Sequence, residues 1–430
     1  GVKFHDGSAF TADDVVYPIN LVADPASRVS TPSNYNWIDK AEKTGDLSVR
    51  VKLKRPNPAA LEYFALVLPI YPKAYREKVG AEGYAKAPVG AGPYKITKVE
   101  SGVSIDFERF EDYWAGSPKG KPAIKKMSVR FVPDAGTEMT ELLAGRADWI
   151  WNMNPDQLEP VNRMPHLQAV RKESMRIGFL SLDAGGRTGA DNPLTKQKVR
   201  QAIWHAIDRK AIADKLVTGG SRVPSAPCFP SQFGCDAEAA VAYDYDPAKA
   251  KKLLAEAGYP DGFEVTMDCP NDRYVNDAGI CQAVVGMLAR IGVKVTLLAQ
   301  PKAQYFAKVL KPGGYQTSFY LLGWTPGTLD SHNVLFDIMG CRDDPKSSRG
   351  EANLGGYCNK KLDELTDKVL QESDMTKRDL LIKQAYEIGA KDFGYIPLHQ
   401  QALAWGVSKK VKLSQRADNQ VLLYWATKQD

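Results

Sequence analysis

Two apolar periods alternate along this chain, and that alternation restricts the fold more than any single motif does. Val199, Ala202, Ile203, Ala206 and Ile207 recur at helical spacing and mark one apolar helix face. Thr11 and Asp14 form a capping-box pattern at the start of another helix. Asp246-Pro247 opens a helix that Gly258 closes, with proline after the cap and glycine past the end. Further helices are expected over 134–145, from Asn154-Pro155 onward, and over 277–290, 360–372 and 377–390, the last capped by Thr376. Between them lie strand patterns at 94–99, 148–151, 177–182, 263–267 and 293–297. Residues 319–322 are apolar throughout, as in a central strand buried on both faces. Residues 396–425 read as extended and aromatic. Helices alternating with strands, with no internal repeat, place the chain in the α/β class. At 430 residues it exceeds what one core organises, so two or three lobes are expected.

Composition narrows the function classes. Hydrophobic residues make up 43% and charged residues 25%, as in ordinary globular proteins, and no apolar run is long enough to span a bilayer. The net charge of +6 is spread along the chain, without the basic patch and aromatic platform of a nucleic-acid binder. Cys228, Cys235, Cys269, Cys281, Cys341 and Cys358 fall into three successive local pairs, none of them C-x-x-C. Neighbour pairing is the economical connectivity, because each pair brackets a loop rich in Gly, Asn or Pro. Six cysteines nevertheless allow fifteen pairings, and spacing alone leaves the choice open. An even count in local pairs favours an oxidising compartment.

Gly1-Val2-Lys3-Phe4-His5-Asp6-Gly7 reads as an alternating strand entering a turn at Asp6-Gly7. A strand there needs partners. With no initiator Met and no signal-peptide pattern, the chain is expected to start inside a domain whose leader and first strands lie upstream.

Signs of catalysis are missing from the sequence. It has no G-x-S-x-G elbow, no H-E-x-x-H and no phosphate loop. Asp13-Asp14 and Asp343-Asp344 are adjacent carboxylates that read as solvated helix-start and turn acids. The five histidines, His5, His166, His205, His332 and His399, are scattered rather than set at metal-ligand spacing. No cofactor or resident metal is expected.

Gly1-Val2-Lys3-Phe4-His5-Asp6-Gly7 followed by Thr11-Ala12-Asp13-Asp14-Val15 resembles the signature of the peptide/nickel class of periplasmic solute-binding proteins of ABC importers. Further pieces agree in order: Pro88-Val89-Gly90-Ala91-Gly92-Pro93-Tyr94, Leu143-Ala144-Gly145-Arg146-Ala147-Asp148, Val199-Arg200-Gln201-Ala202-Ile203 with Ala206-Ile207-Asp208-Arg209, the end of the helix at Gly258-Tyr259-Pro260, and Gly323-Trp324. The resemblance implies a two-lobed fold joined by two chain crossings, with an extra subdomain on one lobe and a ligand held between the lobes. Residues 1–125 would form the extra subdomain, 126–262 with 396–430 the first lobe, and 263–395 the second. Hinge closure is the motion general to periplasmic binding proteins. The resemblance also implies a secreted, periplasmic, non-enzymatic monomer that delivers its solute to a membrane permease, and it supports the pair Cys341–Cys358. The competing classes are a receptor for a metal complex of the nickel type and, more remotely, a hydrolase.

Within that frame several residues are candidates for the ligand. Trp324 ends an apolar strand, which puts an indole at the carboxyl edge where open α/β sheets bind ligands; its plain reading is a core tryptophan. Arg273 lies in the loop after the strand at 263–267, where a guanidinium fork could grip a carboxylate; its plain reading is a solvated arginine or a partner of Asp272. Trp151, Asp183 at a strand end, and His332 in the Trp324 loop complete the set. Peptide-binding members carry, three residues after the tryptophan, an aspartate that pairs with the peptide α-ammonium; here that position is Gly327. Either Asp330 or Asp183 takes over, or the solute lacks a free α-amino group at that place, and the second option is favoured because glycine also opens space.

Overall fold

The first helix, Ala12–Ala23, begins where the capping box lies, and the Asp14 carboxylate accepts from both the backbone N–H and the hydroxyl of Thr11 (2.9 and 2.8 Å). Asp134 caps Ala135–Leu143 through the Thr137 N–H, and Asp246 caps Pro247–Glu256 through the Lys249 N–H. Each cap satisfies an amide that the helix cannot. These features come from a computed structural model, which describes residues 1–29, 31–151, 153–235, 244–310, 317–343, 348–418 and 420–429.

Two compact units make up the chain. One comprises Gly1–Pro56, Tyr63–Lys172 and Ala404–Asp430, and the other Asn57–Glu62 and Glu173–Leu403. The first holds the hairpin Ile38–Gly45 with Ser48–Leu53 and a three-stranded antiparallel sheet of Tyr94–Glu100, Ser104–Arg109 and Lys126–Arg130.

The largest sheet has six strands in the order Trp149–Ile150, Tyr395–Ser408, Leu167–Leu182, Phe319–Trp324, Phe263–Pro270, Val293–Gln300. Phe263–Pro270 runs parallel to Val293–Gln300 and to Phe319–Trp324, whereas Phe319–Trp324 is antiparallel to Leu167–Leu182. Alternate residues feed two cores. Leu180, Leu182, Phe319 and Leu321 pack with Met267 against helices Gln197–Ala206, Pro247–Glu256 and Asp277–Ala289. Phe179, Tyr320 and Leu322 pack on the other face with helices Lys360–Gln371 and Met375–Asp392. Each fully buried Leu or Phe side chain stabilises the fold by roughly 1.5–3 kcal/mol. The apolar stretch at 319–322 is therefore a central strand covered on both faces, and the α/β class holds.

The cysteines pair as neighbours, Cys228–Cys235, Cys269–Cys281 and Cys341–Cys358. Some expectations need correction. Lys3 and Ala9 make a single bridge rather than a strand ladder, because the Asp6-Gly7 turn folds the segment back on itself and the Phe4 N–H bonds the Ser8 carbonyl. Asp374, not Thr376, caps the helix Met375–Asp392; its carboxylate accepts from the Thr376 and Lys377 N–H groups. The extended stretch from 396 ends at Ser408, and Leu423–Trp425 is a 3₁₀ turn. Helix Lys73–Lys86 escaped the periodicity because Gly80 breaks its helical backbone and no residue in it is buried. No helix among the described residues is long and apolar enough to cross a membrane.

Candidate functional site

Strands Phe263–Pro270 and Phe319–Trp324 are parallel, so their carboxyl ends reach the same sheet edge. The first leads into Asn271-Asp272-Arg273-Tyr274. That loop is fixed at several points. The Asp277 carboxylate accepts from the backbone N–H groups of Arg273 and Tyr274 (2.8 and 2.9 Å), and burial pushes that carboxyl above the usual range. Asp272 accepts from the Lys302 N–H, and Cys269–Cys281 ties the strand's end to the helix that follows the loop.

Tyr274 lies over Gly323: a Cβ there would sit 2.5 Å from Cε1 of the ring, and the tyrosine hydroxyl donates to the Gly323 carbonyl (3.4 Å). Only glycine leaves room for the ring. Gly178 stands opposite Gly323 in register, and a Cβ on it would meet Nε2 of His399 at 2.5 Å. Along this face the two strands therefore run from core leucines, Leu180 and Leu321, through two glycines to Arg176 and Thr325.

Arg176 donates from Nε to the Thr325 hydroxyl (3.1 Å). The guanidinium carbons of Arg176 and Arg273 lie 5.9 and 5.2 Å from the centroid of the same Tyr274 ring. Both side chains are half-buried. Burial, with the like charge of Arg273 adding to it, pushes the Arg176 pKa down to about 10. The arrangement is a cationic pair around an aromatic ring at a sheet's carboxyl edge, and it suits an anionic group.

The other sequence candidates are placed as follows. Trp324 shares the strand end but not the face; its indole packs toward Phe179 and Leu322, and its N–H donates to Asn333 (3.3 Å). The Asp330 carboxylate is engaged by both terminal nitrogens of Arg378 (2.5 and 3.0 Å) and by the His332 N–H. Asp183 is buried and accepts from the Arg187 N–H, the Thr188 N–H and hydroxyl, and the Asn192 amide. The His332 ring stacks on Phe336 at 5.5 Å. Gly327 is half-buried, beside the buried Thr328. Trp151 belongs to the other unit and is 40% exposed. Asp343 pairs with Lys360, Asp13 pairs with Lys43, and residue 344 lies outside the described residues.

Among the described residues no group of three His, Cys, Asp or Glu is set to hold a metal. Sequence reasoning missed Arg176 and Tyr274. The available signal for Arg176 was a cation two residues before Gly178, at the start of the mainly apolar run from Ile177 to Leu182; Tyr274 carried none.

Comparison with known proteins gives a consistent picture. A family model described as bacterial extracellular solute-binding proteins, family 5 middle, matches residues 1–346. The glutathione-binding protein GsiB of Pectobacterium atrosepticum is 28% identical over 421 residues, covering 96% of this chain and 78% of that protein. Heme-binding protein A of Haemophilus influenzae is 27% identical over 442 residues, covering 96% and 77%. A dipeptide-binding protein from Pseudoalteromonas sp. SM9913, solved with Met-Leu, superposes with a TM-score of 0.85 at 22% identity, over 100% of this chain and 86% of that one. AgaA of A. tumefaciens R10, solved with agropinic acid, gives 0.82 at 25% identity, over 100% and 85%.

Proposed function

Since the chain belongs to family 5 of the bacterial extracellular solute-binding proteins, we propose that it is the solute receptor of an ABC importer, with a peptide-like or amino-acid-derived solute whose carboxylate docks on Arg273. The observation that carries this reading is the Arg273 guanidinium, which stands beside Tyr274 at the sheet's carboxyl edge with no carboxylate partner among the described residues. A guanidinium fork that no internal acid engages has its donors free for bidentate contact with a carboxylate. Relatives that bind glutathione, the dipeptide Met-Leu and agropinic acid support a solute of that class. The protein acts by binding rather than catalysis, as a periplasmic monomer that hands its solute to a membrane permease.

Gly327 bears on the other end of the solute. An unpaired buried ammonium costs several kcal/mol, and both acids that could replace the family's aspartate, Asp330 and Asp183, already have internal partners. The solute is accordingly one without a free α-amino group at this position. Titration calorimetry with one dipeptide, its N-acetyl form and its C-terminal amide tests both ends. Acetylation should be tolerated, while amidation and Arg273→Ala should each abolish binding. An amide bound as tightly as the acid would remove Arg273 from the site, and loss of binding on acetylation would overturn the reading of Gly327.

A further inference from the structure

The buried and half-buried arginines of this protein are not alike. Arg200 is saturated: its nitrogens donate to the carbonyls of Leu194, Thr195, Asp392 and Phe393. Arg378 donates to the Asp330 carboxylate and to the Val369 carbonyl. Both are structural groups whose charge and donors are spent inside the fold. Arg176 makes one side-chain bond, from Nε to Thr325, although a guanidinium carries five N–H donors. Its terminal nitrogens have no partner among the described residues.

Acids on the adjoining elements are committed elsewhere. Glu173, on the same strand, pairs with Arg222, and the Asp277 carboxylate takes backbone N–H groups. The charge that shares the Tyr274 ring with Arg176 is another cation, Arg273. Two like charges beside one ring, both of them half-buried, destabilise the empty site. A fold has no reason to hold them there unless something anionic arrives.

We propose that Arg176 is a second anion anchor, so that the solute presents two acidic groups to this site, one for Arg273 and one for Arg176. This deepens the receptor reading above and rests on it for the presence of a solute. The chemical class is a dicarboxylate-ended, peptide-like molecule, such as one bearing a glutamyl or aspartyl residue or an equivalent pair of acids. Thr325 sets the tilt of the guanidinium by accepting from Nε, which leaves the two terminal nitrogens to make a bidentate contact.

The test uses two blocked peptides of the same shape that differ by one charge, N-acetyl-L-alanyl-L-glutamate and N-acetyl-L-alanyl-L-glutamine, titrated into the full chain. Wild type should bind the glutamate peptide about ten- to a hundredfold more tightly, the usual worth of a charge-assisted pair. Arg176→Gln should bring the glutamate peptide down to the affinity of the glutamine peptide. A ligand-free readout separates this role from a structural one: Arg176→Met should melt a few degrees above wild type, because it removes an uncompensated charge. Equal affinity of wild type for the two peptides would overturn the second anchor while leaving the receptor reading standing. A lowered melting temperature for Arg176→Met would overturn it also, by making Arg176 a structural arginine. Failure of wild type to bind either peptide would remove the peptide-like solute class proposed above, and the second anchor with it.

Discussion

Asp330→Ala should cost this protein about 3–5 kcal/mol of stability, the range for removing one member of a buried ion pair. The magnitude follows from what is left behind. Arg378 is 1% exposed, and its two terminal nitrogens bond the two oxygens of Asp330 at 2.5 and 3.0 Å. After substitution the Nε bond to Val369 and the face of Phe233, 5.2 Å away, are what remain among the described residues. The His332 N–H also loses its acceptor. Replacing both partners, Asp330→Leu with Arg378→Met, removes the charge together with its counter-charge and should restore most of the loss. A double-mutant cycle by urea unfolding, followed through tryptophan fluorescence, gives the coupling directly. A loss below about 1 kcal/mol in the single variant would refute the reasoning. So would a double variant as unstable as the sum of the singles. A normally stable Asp330→Ala that no longer binds solute would return Asp330 to the ligand site.

Two other outcomes follow from buried chemistry. Burial pushes the His399 pKa down to about 4 from 6.5, so the unfolded chain takes up its proton before the folded one as pH falls; stability is full above 6.5 and drops by up to about 3 kcal/mol by pH 4, and His399→Gln should flatten melting temperature against pH across that window. If the slope is unchanged in the variant, His399 is not the group responsible. Cys341 and Cys358 close a 17-residue separation, so replacing both by serine should cost about 3 kcal/mol in urea unfolding; an unaffected midpoint would mean that the bridge does not constrain the unfolded chain.

Elements with local punctuation were the legible ones. Asp246-Pro247 and Gly258 bound a helix by signals within one turn of its ends, and the structure keeps them. Where two capping residues stood two positions apart, as Asp374 and Thr376 do, residue type alone could not choose the register. The alternating residues at the start of the chain have strand character, but a close turn uses their amides instead. The placement of Arg273 was legible, because a loop that follows a parallel strand lies at the sheet's carboxyl edge. Asp330 was not, because its partner Arg378 is 48 residues away and no local pattern announces it. Arg176 was hidden for a related reason: its meaning lies in the acid it lacks.

The sheet order also bears on how the chain is made. Tyr395–Ser408, synthesised well after both of its neighbours, sits inside the sheet between Trp149–Ile150 and Leu167–Leu182. The Gln400 amide reaches the Ser174 carbonyl across 226 residues of sequence. At ribosomal rates of ~5–20 residues per second, the earlier strand waits roughly 10–45 s for that neighbour to exist. Until then one flank of Leu167–Leu182 is an open edge, ready to pair with the wrong chain. The native sheet cannot close before residues 395–408 have been made. For a member of an extracellular family the delay has a use, since an unclosed sheet is easier to thread than a finished one.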